Sequence, residues 1–278
     1  MVFLLLEMTL VAEKSMSKLS GAVVLLTGAS GGFGKEFIRQ LLGEGSRLIL
    51  TDINEEQLLS VSKEIQKTVS TGEIIRCIQG DLSTDAGCYE LYEQLKTLDV
   101  SIDILINNAG IGLYGRLDEV PVDQWQKLMQ INLLSPMLLS SLIIPQMIDR
   151  REGHIVNISS LAGWVTPEGL THYCTSKFGM RGLSEGLSVE LKPHNIKVTG
   201  VYPFFSRTPI LNSLAYGSLA KDYQGFPLSS ANNPADVIKR VVKGIKQNKR
   251  SIFPDSQSTI IHTLKRYFPP LIDSLLKK

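Results

Sequence analysis

The feature that most constrains this chain is an alternation that starts at Gly21 and continues to about residue 250, in which short apolar runs are separated by longer amphipathic stretches. The runs are AVVLL (22 to 26), RLILT (47 to 51), EIIRCI (73 to 78), IDILI (102 to 106), HIVNI (154 to 158) and IKVTGVY (196 to 202). Several are apolar without strict alternation, as expected of parallel strands covered on both faces. Parallel neighbours need a crossover of a dozen or more residues, and the intervening stretches supply it. The pattern predicts an α/β fold with a doubly wound parallel sheet, six strands of which are visible in the sequence.

Helices are expected at about 34 to 43, 54 to 68, 85 to 97, 122 to 149, 173 to 192 and 235 to 247, with Pro136 and Pro145 kinking or breaking the fourth. A chain of 278 residues, 43% of them hydrophobic, can bury one sizeable core, so residues 18 to 255 are expected to form a single domain. Within it, residues 203 to 233 have no clean period yet carry Phe204, Phe205, Leu211, Leu214, Tyr216, Tyr223 and Phe226. An irregular stretch of this length and aromatic content reads as a substrate loop.

The two ends are read separately. Residues 1 to 17 begin with MVFLLLEMTLV, which Glu7 interrupts and which falls short of the ~20 residues a spanning helix needs. They are expected to be a leader, loosely docked, or an upstream start preceding Met16, with a peripheral membrane anchor as the minority reading. Residues 256 to 278, SQSTIIHTLKRYFPPLIDSLLKK, form an amphipathic tail suited to core or subunit packing, or to shallow membrane docking. The 29 basic and 27 acidic residues include no long basic run, so nucleic acid is not an expected partner. Cys77, Cys88 and Cys174 form no Cys-x-x-Cys pair and suit reduced packing thiols in a cytoplasmic protein, and the four histidines form no metal-ligand pattern.

Immediately after the first apolar run comes Thr27-Gly28-Ala29-Ser30-Gly31-Gly32-Phe33-Gly34, leading into KEFIRQLL. Glycines between a strand and a helix permit a tight turn and let backbone amides approach a pyrophosphate, so Gly28, Ser30, Gly32, Phe33 and Gly34 are candidate cofactor contacts. The second run ends at Asp52, whose carboxylate could accept hydrogen bonds from both hydroxyls of an adenosine ribose and repel a 2′-phosphate, which favours NAD(H) over NADP(H). The alternative is that Asp52 caps or turns into the next helix.

Tyr173 and Lys177 lie four residues apart at the start of an expected helix and share one face. An ammonium beside a phenol stabilises phenolate, which a general acid–base tyrosine needs near neutral pH. Ser160 lies thirteen residues upstream of Tyr173, at the carboxyl end of the fifth strand, where open α/β sheets place their ligands.

Together the glycine turn, Asn107-Asn108-Ala109-Gly110, Asn132, Ser160 and Tyr173-x-x-x-Lys177, in this order and spacing, resemble the short-chain dehydrogenase/reductase family from about Lys18 to Phe253. The resemblance implies a Rossmann-type sheet of about seven strands, a nicotinamide cofactor, a homodimer or homotetramer, and a catalytic set of Asn132, Ser160, Tyr173 and Lys177. By that resemblance Ser160 holds the substrate oxygen, Tyr173 exchanges the proton, Lys177 binds the nicotinamide ribose, and Asn132 holds a relay water. It also implies that Asp81 and Leu82 flank the adenine, that Asn108, Ala109 and Gly110 line the cofactor path, and that Thr208 meets the carboxamide. The chain departs from the family at Phe204, where Pro-Gly is usual and a larger side chain could redirect the backbone.

Apolar residues flank these positions: Ile111, Leu113 and Tyr114 on one side, Leu161, Trp164 and Val165 on the other. The expected substrate is therefore a small apolar alcohol or carbonyl compound, lipid-, steroid- or retinoid-like or aromatic. A non-catalytic dinucleotide sensor is the alternative; a sugar-nucleotide epimerase would need a larger carboxyl-terminal domain.

Overall fold

The computed structural model describes residues 16 to 275 apart from 222 and 224. Residues 1 to 15, and with them most of the expected leader, lie outside the described residues.

The six apolar runs form strands β1 (Val23–Thr27), β2 (Arg47–Asp52), β3 (Glu73–Gln79), β4 (Ile104–Asn107), β6 (Gly153–Ile158) and β7 (Ile196–Val201). A seventh, β9 (Ser251–Ile252), completes a parallel sheet in the order β3-β2-β1-β4-β6-β7-β9. Strand β1 is buried along its whole length because β2 and β4 flank it and helices cover both faces. Its alternate residues serve two cores. Val24 and Leu26 pack with Phe37, Ile38 and Leu41 on one face, while Val23 and Leu25 pack with Leu91, Leu139 and Ile143 on the other. Each such fully buried side chain contributes about 1.5–3 kcal/mol relative to exposure.

Some helices begin where a side chain satisfies a first-turn amide, but helix α1 (Gly32–Gly43) does not: its N-cap is Gly31 and no side chain caps it. Asn54 caps α2 (Glu55–Gln66) by accepting the Gln57 N–H at 2.9 Å, and Thr84 caps α3 (Asp85–Lys96) through the Gly87 N–H at 3.0 Å. Helices α6 (Thr171–Glu190) and α7 (Pro234–Lys246) fall where the apolar periodicity put them.

The long helix after residue 121 is not broken at either proline. It runs as α4 (Val122–Met129), a π-helical turn (Gln130–Leu134) and α5 (Ser135–Arg150). Pro136 follows the π turn in the first turn of α5, and Pro145 is tolerated inside the helix. The irregularity is the π turn, which surrounds Asn132. By length and composition the whole run could cross a membrane; here Leu139, Ile143 and Met147 bury one face of it in the core.

The loop from 203 to 233 is ordered by a two-residue strand, β8 (Leu214–Ala215), which pairs in parallel with β5 (Leu113–Tyr114). Tyr114 and Tyr223 stack at 3.8 Å across the same junction. The tail folds into α8 (Ser256–Tyr267) and α9 (Pro269–Leu275).

Candidate active site

In-register parallel pairing brings the carboxyl ends of the central strands to one edge: Thr27 lies opposite Thr51, and Asn107 opposite Asn157. The candidate residues gather along that edge.

At one end is the glycine turn. Gly28 has φ +63°, and a Cβ there would stand 2.7 Å from the Ala109 Cα, so both conformation and space call for glycine. A Cβ on Gly32 would meet the Thr208 side chain at 2.6 Å, which shows that the 203 to 233 loop presses Thr208 against the turn. Asn108 braces the same turn, its Nδ2 donating to the carbonyls of Thr27 and Gly28 at 2.9 and 3.0 Å. Thr27 Oγ1 in turn accepts the N–H groups of Asn108 and Ala109. Ser30 is buried, whereas Phe33 is half-buried against the core.

Asp52 stands at the end of β2. One carboxylate oxygen accepts the Ser30 N–H at 2.8 Å and the other makes a long contact, 3.4 Å, with the Asn54 N–H. The cap of the following helix is thus Asn54, and Asp52 faces the glycine turn. Asp81 is exposed, and its carboxyl is held below the usual carboxylate range by hydrogen bonds from Ser83. Leu82 packs into the core, and its carbonyl accepts the Ser135 hydroxyl at 2.7 Å.

At the other end, Ser160 extends from β6 and α6 opens with Thr171. The Ser160 side chain lies beside the Tyr173 hydroxyl and favours its ionised form, while the Ser160 Oγ accepts the Ala162 N–H at 3.1 Å. Ser159, which precedes Ser160, donates to the Lys177 carbonyl at 2.9 Å and serves packing. Lys177 is buried, its Nζ donating to the Ile158 carbonyl at 3.0 Å and lying 5.6 Å from the Tyr173 ring centroid. Burial pushes Tyr173 up to about 12 and Lys177 down to about 8. The expectation that Lys177 depresses the tyrosine is therefore corrected for the protein alone, because desolvation outweighs an ammonium turned toward a carbonyl.

Asn132 is fully buried in the π turn. Its Oδ1 accepts the Ile111 N–H at 2.8 Å, and its Nδ2 donates to the Ile111 carbonyl at 2.9 Å and to Ser176 Oγ at 3.3 Å. With both amide hydrogens committed, the side chain clamps the segment after Gly110. Gly110 itself sits beside this group, since a Cβ there would be 3.3 Å from Asn132 Oδ1 and 3.6 Å from Lys177 Nζ.

Two apolar clusters border Tyr173 and Ser160. Ile111, Leu113, Trp125, Met129 and Tyr216 pack with Tyr173, and Leu161 and Val165 pack with Trp164, Phe204 and Ile272. Phe204 keeps its φ outside the left-handed region and packs against the second cluster. Asp255, which belongs to no recognisable motif, holds this arrangement: its buried carboxylate accepts the Phe204 N–H at 3.0 Å and the Ser258 N–H at 2.7 Å.

A family model described as short chain dehydrogenase matches residues 22 to 217. The chain belongs to the short-chain dehydrogenase/reductase family. Among curated relatives, it is 35% identical over 248 residues to 3-ketodihydrosphingosine reductase of Bos taurus, covering 86% of this chain and 72% of the relative. It is 30% identical over 273 residues to epidermal retinol dehydrogenase 2 of Homo sapiens, covering 96% and 85%. Among solved structures, a metagenomic short-chain oxidoreductase in complex with NADP is 31% identical with a TM-score of 0.69, covering 86% of this chain and 99% of that one. A Burkholderia phymatum short-chain dehydrogenase/reductase in complex with NAD superposes at a TM-score of 0.79 over 92% and 96% of the two chains, at 22% identity, and speaks for the fold.

As a short-chain dehydrogenase/reductase, the protein is an oxidoreductase for alcohol and carbonyl groups that uses a nicotinamide dinucleotide. Its residues fit that group. The uncapped first turn of α1 has no acidic residue, and its amides open at the carboxyl edge between Gly28 and Gly34.

Proposed function

We propose that this enzyme transfers a hydride between NAD(H) and an apolar secondary alcohol or ketone, with Tyr173 exchanging the proton. The observation that carries the reading is the side-by-side placement of Tyr173 and Ser160 between two apolar clusters. Ser160 holds the substrate oxygen, and Tyr173, kept protonated at neutral pH by burial, enters carbonyl reduction as the acid. The nicotinamide, when bound, supplies or accepts the hydride. Lys177 binds the nicotinamide ribose and carries positive charge beside the tyrosine, while Asn132 positions the segment at Ile111.

Asp52 supports NAD(H) over NADP(H). It takes the Ser30 N–H with one oxygen, and a carboxylate at this strand end accepts ribose hydroxyls and opposes a phosphate. The substrate class follows from the walls. Burying an apolar ligand contributes about 25 cal/mol per Å² of apolar surface, while the Tyr173–Ser160 pair fixes one oxygen. The resemblance to proteins named for sphingoid ketone reduction and retinol oxidation puts long-chain lipid ketones and alcohols first.

The test is a panel of carbonyls and alcohols assayed with NAD(H) and NADP(H), run with wild type and Tyr173→Phe. Turnover is expected with lipid-like substrates and NAD(H), and the variant should lose about 10²–10⁴-fold in kcat. Activity confined to small polar polyols would sink the substrate class, and wild-type rates in the variant would sink the mechanism. A strong preference for NADPH would overturn the role of Asp52.

A further inference from the structure

We infer that the corner between α8 and α9 is a membrane-docking surface for bilayers that carry anionic lipid. Five consecutive residues there, Tyr267, Phe268, Pro269, Pro270 and Leu271, are all exposed, with Tyr267 at 66%, Phe268 at 60% and Leu271 at 51%. Ile260, seven residues before Tyr267 and so on the same face of α8, is 57% exposed. An apolar run of this kind at the end of a folded domain marks a contact surface.

Charge selects the occupant. Residues 256 to 278 carry four basic side chains against one acidic, a net +3, whereas the whole chain is only +2, so the rest is slightly negative. Lys265 and Arg266 directly precede the apolar corner, and the Arg266 guanidinium lies 5.7 Å from the Tyr267 ring centroid. Aromatic and leucine side chains bordered by arginine and lysine suit the level of lipid headgroups, where the rings enter the acyl boundary and the cations meet phosphate.

The opposite side of the same helices is already occupied. Ile261, Leu264 and Ile272 pack on Trp164, Leu161, Val165 and Phe204, so burial of the inner side leaves the corner facing outward. The docking surface thus lies about one helix diameter, ~10 Å, from the loop that follows Ser160. Docking at this corner holds whatever the substrate is.

The experiment is flotation of the full chain with phosphatidylcholine vesicles, with and without about 30 mol% phosphatidylserine, at about 0.1 M and about 0.5 M salt. The wild type should float with the anionic vesicles at low salt and partly release at high salt. Phe268→Ser combined with Leu271→Ser should weaken binding by about 10-fold or more. Arg266→Glu should lose the preference for phosphatidylserine. All three side chains are exposed, so melting temperature and dinucleotide binding should stay at wild-type values. Equal flotation of wild type and the double variant would overturn the inference by placing the contact elsewhere, residues 1 to 15 included. A wild type that fails to float would also overturn it. So would light scattering that finds a dimer dissolved by the double variant without any vesicle binding, since the occupant would then be a second copy of the chain.

Discussion

The Lys177 ammonium donates a hydrogen bond to the Ile158 carbonyl at 3.0 Å, fixing a buried cation at the end of β6, between the strand that leads to Ser160 and the ring of Tyr173. Burial lowers the Lys177 pKa to about 8, so the charge is present at pH 7 and is lost as pH rises through that value. Because kcat/KM reports groups in the free enzyme, carbonyl reduction should show a falling limb near pH 8. Arginine does not deprotonate in this range, so Lys177→Arg should be slower yet lack the limb. A pH–rate series on both proteins checks this; a limb retained in the arginine variant would assign the titration to another group.

Asp52 joins the end of β2 to the glycine turn through the Ser30 N–H at 2.8 Å. Asp52→Ala should therefore have two effects. It removes a charged acceptor, worth about 1.5–3 kcal/mol, and so should raise the Kd for NAD(H) about 10-fold or more. It also removes the negative charge opposing a 2′-phosphate, so the NAD-to-NADP preference should narrow. Dinucleotide binding measured by fluorescence for both cofactors separates these effects from turnover. Unchanged preference would show that Asp52 braces the turn without reading the ribose.

How much of this could be read beforehand depended on range. Strands such as Leu48 to Thr51 were visible because burial on both faces forces unbroken apolar runs, and the Gly28 turn was visible because a left-handed, crowded position admits little else. Strand β9 was hidden because two residues, Ser251 and Ile252, make no pattern. The π turn was hidden for a different reason. Prolines are the breakers a sequence displays, whereas an inserted residue around Asn132 is held by contacts with Ile111, which lies twenty-one positions away. The clamping role of Asn132 and the core placement of Leu82 likewise come from tertiary contacts that no local spacing encodes.

His154 predicts how the fold responds to acid. It is buried, with Nε2 2.8 Å from Thr199 Oγ1 and Nδ1 3.1 Å from Ser17 Oγ, and burial lowers its pKa from 6.5 to about 3. Above pH 6.5 both folded and unfolded chains hold it neutral, and its contribution is fully present. As pH falls below 6.5 only the unfolded chain takes the proton, so stability drops by up to about 1.4 kcal/mol per pH unit. His172, whose ring nitrogens are buried without hydrogen-bond partners among the described residues, is lowered in the same direction. Urea titrations between about pH 7.5 and 5 should show this slope. His154→Gln should be less stable at pH 7.5 but show a shallower decline, and an unchanged slope would exclude His154 as its source.

Asp255 gives the last test, because one buried carboxylate caps α8 and also holds the loop that carries Phe204 and Thr208. Asp255→Ala leaves the Phe204 and Ser258 N–H groups without their acceptor in a buried place, so it should cost about 2–4 kcal/mol. Asp255→Asn keeps one carbonyl oxygen and should cost about half as much. Thr208 rests against Gly32 in the same loop, so loosening the anchor should also weaken dinucleotide binding, by several-fold in the asparagine variant, which remains folded. Phe204→Ala provides the contrast: it removes apolar packing with Trp164 and Ile272 but leaves the backbone hydrogen bond intact. It should therefore lower melting temperature with little change in cofactor affinity. Equal loss of affinity in Asp255→Asn and Phe204→Ala would mean that packing alone, without the Asp255 hydrogen bond, places the loop over the glycine turn.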